Sequence, residues 1–302
     1  MKGQRKNLIV VVGPTAIGKT TLAIKLANHF STEIISADSR QFFREMEIGT
    51  AKPSTAELAA APHHFINSHS INTFFSTGDF EIEALKLTEE LFKSHDQLVM
   101  VGGSGLYINA VCNGMDELPE TDLNIREQLK QRYAALGLED IKHQLAIVDP
   151  ELFAKVDQGN PQRMIRGLEF FLSTGTKLSA YQTNSKKERP FNMVKIGLNT
   201  DRAQLYQQIN HRVDQMMEAG LLEEVRQLLP YKHLNALNTV GYTELFNYLE
   251  GKVSLEEAVS AIKQNTRRFA KRQLTWFRKD PETMWFGPED YPAILAYIQA
   301  QI

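Results

Sequence analysis

A single cysteine, Cys112, in 302 residues excludes an internal disulfide and any zinc site built from a cysteine cluster, which suits a reducing compartment. No charge of one sign prevails. The 34 Lys and Arg stand against 36 Asp and Glu, so the chain is not a uniformly basic nucleic-acid binder, although local basic patches remain open. No apolar run approaches the ~18 residues of a membrane-spanning helix, and the first residues do not combine a basic start, an apolar stretch and a small-residue cleavage site. A cytoplasmic monomer without membrane contact is expected. No internal repeat or low-complexity tract is present either. What remains is an ordinary globular composition, 42% hydrophobic and 23% charged. At about 150 residues per domain, the length predicts more than one domain.

Against that background one stretch carries chemistry. Gly13, Pro14, Thr15, Ala16, Ile17, Gly18, Lys19 and Thr20 follow the apolar run 8–12 and precede the helix-forming run 21–27. Gly-x-x-x-x-Gly-Lys-Thr between a strand and a helix reads as a phosphate-binding loop: the glycines turn backbone N–H groups inward, Lys19 adds a point charge, and the Thr20 hydroxyl suits Mg²⁺. The helix that starts there directs its positive dipole end at the same anion. The pattern leaves open whose phosphate is held, that of ATP included.

Residues 33–36 read as a second strand running into Asp38, Ser39, Arg40 and Gln41. In an open parallel sheet the carboxyl ends of neighbouring strands face one crevice, which sets Asp38 across from the phosphate loop. It is a candidate acid–base group or, equally, a helix N-cap. Residues 48–53 and 62–67 read as loops with one short strand, and the adjacent His63 and His64, pointing to opposite faces with no third ligand nearby, read as structural. Ser76 to Asp79 caps a helix with Phe80, Ala84, Leu87 and Leu91 on one face. A strand over 98–101 then ends in Gly102-Gly103-Ser104-Gly105, where a motor-type nucleotide hydrolase places an Asp for Mg²⁺. Glycines there predict close approach and a substrate wall. Ser104 is a donor to phosphate or base, or a helix cap.

Between Asn113 and Pro190 strand-like runs vanish and helices are predicted over 122–136, 139–147 and 161–173, each closed by glycine or proline signals; a strand resumes over 191–198. The expected fold is α/β: a P-loop parallel-sheet core, residues 1–112 and 191–302, with helices on both faces, plus an inserted all-helical domain, residues 113–190. In the insert, Gln162-Arg163-Met164-Ile165-Arg166 sets two arginines three apart on one helical face, by itself a solvated face. Asp201 starts a helix that carries Arg212. The stretch 263–279 holds no acidic residue and interleaves Phe269, Trp276 and Phe277 with cations, which suits an RNA backbone with bases to stack, or a solvated helix face.

Taken in order, Gly-Pro-Thr-x-x-Gly-Lys-Thr, Ser-Ala-Asp-Ser, Ile-Gly-Thr-Ala-Lys-Pro, Pro-His-His, Val-Gly-Gly-Ser-Gly-Leu-Tyr, Asn-Pro-Gln-Arg, Val-Gly-Tyr and Ala-Lys-Arg-Gln-x-Thr-Trp-Phe closely resemble the tRNA dimethylallyltransferases of bacterial type, across residues 8–278. The resemblance implies transfer of a dimethylallyl group from dimethylallyl diphosphate to N6 of adenosine 37 in tRNA, with release of diphosphate, Mg²⁺ assistance, and an anticodon stem-loop gripped by the insert. It implies that Asp38 is the base, with Thr15 near the reacting centre, and that Ser104, Arg126 and Arg212 contact substrate or stabilise the reacting groups. Gly13 to Thr20 would hold the diphosphate, with Thr20 on the metal. Implied tRNA contacts are Asp38, Ser39, Arg40, Gln41, Gln162, Arg163, Met164, Ile165, Arg166, Val240, Gly241, Tyr242, Lys271, Arg272 and Gln273. Asn67 departs from the family, where Asp is commoner, and Asn238-Thr239 replaces a more basic pair; both bear on tRNA contact. The zinc-finger extension of some eukaryotic relatives is not expected after Ile302.

The chemistry agrees with the residues. An allylic diphosphate reacts as pyrophosphate leaves, so donors aimed at the departing charge lower the barrier, and a carboxylate can take the amine's proton as the new bond forms. The target base must be splayed from its loop to reach them. Two rivals remain at this point. A small-molecule kinase shares the loop and the Asp but needs ATP and has no use for a basic aromatic helix. A non-catalytic RNA-binding nucleotide switch is weakened by the missing strand-end Asp.

Overall fold

The computed structural model describes residues 6–183 and 185–302. Asn7–Val12 forms β1, buried at every position, as a strand covered on both faces requires. There follow α1 (Lys19–Phe30), β2 (Ile34–Ser36), α2 (Thr55–Ala60), β3 (His63–His64), α3 (Thr77–Leu91), β4 (Gln97–Val101) and α4 (Gly105–Asn113). The start of α3 is a capping box: Ser76 Oγ accepts the Asp79 N–H while the Asp79 carboxylate accepts the Ser76 N–H. Next come α5 (Leu123–Val148), α6 (Pro150–Lys155) and α7 (Pro161–Thr174), then β5 (Asn192–Leu198), α8 (Arg202–Glu218), α9 (Leu221–Leu228), α10 (Tyr242–Leu249), α11 (Leu255–Phe277), β6 (Met284–Phe286) and α12 (Tyr291–Gln301). No helix among the described residues is long and apolar enough to cross a membrane.

The chain divides into two compact units, one built from residues up to Cys112 together with Glu188–Ile302, the other from Asn113–Lys187. The second boundary falls at Lys187 rather than Pro190 because Arg189 is tied into the first unit. Its Nε donates to Val111 O at 2.8 Å, and its Nη2 to Ala110 O at 2.7 Å and Glu81 Oε1 at 2.8 Å.

In the first unit the described strands form one six-stranded parallel sheet in the order β3-β2-β4-β1-β5-β6. Strand alternation sends Ile9, Val11, Val99 and Ile196 to one face, against Leu22 and Leu26 of α1, Ile209 of α8 and Ile294 of α12. Leu8, Val10, Leu98 and Met100 meet Phe80 of α3 and Val111 of α4 on the other. Burying each such side chain contributes roughly 1.5–3 kcal/mol. A further core joins Phe42 and Met46 to Val225, Tyr242, Leu245 and Ile262 of α9 to α11. Register pairs Val11 and Ser36 with Val101, and Val12 with Gly197, so β1, β2, β4 and β5 end along one edge and their following loops open there.

The helical unit has its own core of Ile141, Leu145, Leu152, Met164, Leu168 and Phe170. Gly137, at φ 79°, breaks α5 where the sequence predicts two helices. Asn160 caps α7 through the Arg163 N–H, and Gly175 closes it in the left-handed conformation.

Candidate active site

Loop 13–18 is shaped by close approach. Gly13 sits at φ 145°, and a Cβ there would lie 2.7 Å from Leu198 O, so only glycine lets the loop cross the end of β5. Lys19 Nζ folds back to donate to Pro14 O at 2.7 Å. Burial, and next the charge of Arg212, push this lysine down to about 7 against the smaller opposing pull of Asp38. Arg212, from α8, donates to Thr15 Oγ1 at 3.4 Å; burial draws its pKa down too, with Glu57 and Asp38 opposing.

These groups line a cavity of about 210 Å³ whose wall also includes Thr20, Asp38, Gln41, Thr50 to Pro53, Glu57, His63, Gly102, Gly103, Phe269 and Gln273. Asp38 Oδ1 accepts from the N–H of Arg40 at 2.9 Å and of Gln41 at 3.4 Å. The residues it caps form turns and not a helix, so of the two readings of Asp38 the helix N-cap becomes a turn cap. Ser104 Oγ accepts the Ser39 N–H at 2.9 Å, fastening the glycine loop after β4 to the Asp38 turn. A Cβ on Gly102 would lie 2.2 Å from Ala37 O; that glycine serves the chain's own backbone approach as well as the cavity wall.

Gln273 carries more structure than its place in a basic stripe suggests. Its Oε1 accepts the Thr15 N–H at 2.9 Å and its Nε2 donates to Gly103 O at 3.0 Å, with the residue 6% exposed. It is a strut between loop 13–18 and the glycine loop. The signal was present: Ala270, Gln273 and Phe277 fall at helical spacing on the buried face of α11.

Several implied tRNA contacts are buried in the structure. Met164 and Ile165 are 0% and 9% exposed in the core of the helical unit. Tyr242 is fully buried and donates from its hydroxyl to Glu224 Oε1 at 2.6 Å. Gly241 is buried with its N–H on Glu244 Oε2 at 2.8 Å, and Val240 packs beside the same core. Buried Gln273 likewise serves the cavity and not the surface. Arg166 Nη1 donates to Glu169 Oε1 at 2.9 Å and Thr121 Oγ1 at 2.8 Å. Gln162, Arg163, Lys271 and Arg272 remain exposed. Arg272 lies 5.8 Å from the Phe269 ring centroid, and Arg267 is held by Asn210 Oδ1 at 2.6 Å.

Arg126 belongs to the helical unit, where Nε and Nη2 clasp Glu169 at 3.0 and 2.9 Å. The structure thus brings Thr15, Lys19, Thr20, Asp38, Gln41 and Arg212 to one cavity within the first unit. Arg40 is largely enclosed; burial lowers its pKa, with Tyr107 and Asp38 opposing.

His64 Nε2 pairs with Glu33 Oε2 at 2.6 Å and His63 Nδ1 with Ala61 O at 2.8 Å, as structural residues on β3. Sequence reasoning missed that His63 also reaches the cavity wall. Asn67 Oδ1 accepts from Lys52 Nζ, a short contact within the first unit. Among the described residues no three His, Cys, Asp or Glu cluster as a metal cage. The cavity does hold a hydroxyl at Thr20 and a carboxylate at Asp38, hard oxygen donors of the kind that fit Mg²⁺ when substrate phosphates and water complete its shell.

Comparison with known proteins follows the same lines. A family described as IPP transferase matches residues 41–280. The chain is 54% identical over 296 residues to the tRNA dimethylallyltransferase of Christiangramia forsetii, covering 98% of each chain. It is 45% identical over 297 residues to tRNA dimethylallyltransferase 1 of Bacteroides fragilis, covering 98% of this chain and 99% of the relative. The crystal structure of the full-length tRNA isopentenylpyrophosphate transferase from Bacillus halodurans aligns with a TM-score of 0.72 at 35% identity over 98% of each chain. A eukaryotic dimethylallyltransferase acting on tRNA aligns with a TM-score of 0.76 at 28% identity, over 94% of this chain and 74% of that one.

Proposed function

Since this chain belongs to the IPP transferase family, we propose that its cavity transfers a dimethylallyl group from dimethylallyl diphosphate to the N6 amine of adenosine 37 in tRNA, releasing diphosphate. Prenyl transfer to tRNA is the activity that family membership carries. The observation that supports the finer reading is the division of charge in one cavity, with Lys19 and Arg212 beside the N–H groups of the loop and Asp38 on the wall formed after β2.

The diphosphate lies on the loop N–H groups, Lys19 and Arg212. As the bond from C1 to the bridging oxygen breaks, negative charge gathers on the departing diphosphate, where these donors would stabilise it once they exchange their present partners for its oxygens. Thr20 would hold Mg²⁺, which supplies further neutralisation of the departing diphosphate. The N6 nitrogen forms its bond to C1 and passes its proton to the Asp38 carboxylate, which releases it to solvent. The Arg40 and Gln41 amides and the Ser104 link hold that carboxylate's turn in place. Thr15, bonded to Arg212, borders the reacting centre. Gln162, Arg163, Lys271 and Arg272 are the exposed groups suited to tRNA phosphates and bases.

The kinase alternative is not favoured: β4 is followed by Gly102 and Gly103, and the relatives over the whole chain are transferases to tRNA. The test uses anticodon stem-loop RNAs with adenosine, inosine or guanosine at position 37 and labelled dimethylallyl diphosphate. Only the adenosine RNA should take up label. Equal labelling of all three would remove the N6 amine as the acceptor.

A further inference from the structure

Two sequence motifs stand outside the reaction as described, Ile48 to Pro53 and Val240-Gly241-Tyr242, and they meet at one carboxylate. Glu224, on α9, accepts through Oε2 from the N–H of Glu47 at 3.0 Å and of Ile48 at 2.7 Å, and through Oε1 from the N–H of Gly49 at 3.0 Å. The same Oε1 accepts the Tyr242 hydroxyl at 2.6 Å. Three successive amides turned on one anion form a nest, the concavity that in other proteins takes a phosphate. Here the chain's own carboxylate fills it. The fit is close, for a Cβ on Gly49 would lie 2.5 Å from the Tyr242 ring.

The clamped segment leads to the cavity. Thr50 to Pro53 form part of its wall, with Ala51 in the left-handed region at φ 49°. Gln41 Nε2 donates to Thr50 O at 3.2 Å and to Ala51 O at 3.0 Å, while the Gln41 N–H donates to Asp38 Oδ1. Hydrogen bonds joined through the 47–51 backbone therefore link Tyr242 and Glu224, by way of Gln41, to Asp38. We propose that Glu224 and Tyr242 are positioning residues for the transfer step, a latch that fixes the 48–53 wall and, through Gln41, the orientation of the Asp38 carboxylate. The proposal rests on the reading of Asp38 as the base.

The test compares Glu224→Ala, Glu224→Gln and Tyr242→Phe in the full-length protein, with single-turnover transfer measured per folded molecule under saturating substrates. Loosening a reacting group by about 1 Å costs on the order of 10²-fold, so the Glu224 variants should slow transfer by about 10- to 100-fold. Tyr242→Phe, which leaves the three amides bound, should slow it by only a few fold. Affinity for tRNA and for pyrophosphate should stay near wild type. Added formate should restore much of the rate in Glu224→Ala by refilling the nest, and none in Tyr242→Phe. A purely structural role would lower Tm and leave the rate per folded molecule unchanged; that result overturns the proposal, as does a loss confined to tRNA affinity. If Glu224→Ala does not fold, Glu224→Gln and Tyr242→Phe decide by the same readouts. Amide exchange at residues 47–49, faster in the Glu224 variants and slowed again by formate, reads the latch without any transfer assay. Wild-type protein that transfers no label would therefore sink the proposed function while leaving the exchange result to judge the latch.

Discussion

Pyrophosphate should bind this protein with uptake of a proton at Lys19. In the free protein burial, with Arg212 close by, pushes the lysine down to about 7. A diphosphate seated beside the ammonium reverses that, because an opposite charge within a few ångströms favours the protonated form. With a free value of about 7 and a bound value well above it, the uptake is about one tenth of a proton at pH 6, about one half at pH 7 and about nine tenths at pH 8. Affinity should accordingly weaken as pH rises through 7, approaching about tenfold per unit. Titration calorimetry in buffers of different ionisation enthalpy counts these protons. Lys19→Arg, permanently charged, supplies the correction for protons carried by pyrophosphate itself. Wild type minus variant near zero at pH 8 would refute the depressed lysine. The same shift bears on stability: the folded value lies below the ordinary 10.5, so the lysine's contribution is fully present above that pH and is lost as pH falls through about 7.

Asp38→Asn should cut transfer by about 10²- to 10⁴-fold with Tm and tRNA affinity unchanged, because the amide oxygen can still accept the Arg40 and Gln41 N–H groups; a near-normal rate would leave Asp38 only its turn. Gln273→Leu removes the partners of Thr15 N and Gly103 O, so thermal unfolding should show a loss of about 1–3 kcal/mol and pyrophosphate should bind more weakly. Intact pyrophosphate affinity would count against the strut. Arg163→Ala should lower the salt slope of tRNA binding by about one unit, whereas Arg166→Ala, which takes a donor from the 2%-exposed Glu169 side chain, should show mainly as reduced stability. Charge reversal of Lys271 and Arg272 together should remove most tRNA affinity at physiological salt while leaving pyrophosphate binding alone.

The elements that the sequence made legible are those whose cause is local. β1 follows from a continuous apolar run, loop 13–18 from the glycine spacing, and α3 from a capping box that can be read off Ser76 and Asp79. The helical unit was visible in its Gly137 and Gly175 breaks and in Asn160-Pro161 at the start of α7. What was not legible depends on distant partners. The two bonds of Gln273 span 258 and 170 residues, and those from Glu224 to residues 47–49 span 175 to 177. No local pattern distinguishes an exposed contact tyrosine from Tyr242, which is buried by packing against Gly49. In Gln162 to Arg166 the helical period alone separates the exposed Arg163 from the core residues Met164 and Ile165, a division that α7's apolar face could have supplied. Arg166 and Arg126 look like free cations in sequence because Glu169, their shared partner, sits three residues from one and 43 from the other.

Incubating the wild-type protein with tRNA and Mg²⁺, in parallel with labelled dimethylallyl diphosphate and with γ-labelled ATP, distinguishes a cavity that moves an allyl group from one that moves a phosphoryl group. Allyl label should enter tRNA at adenosine 37 with one diphosphate released for each group transferred, and no ATP label should move to any acceptor. Phosphoryl label transferred from ATP, with no allyl label in tRNA, would make the protein a kinase instead.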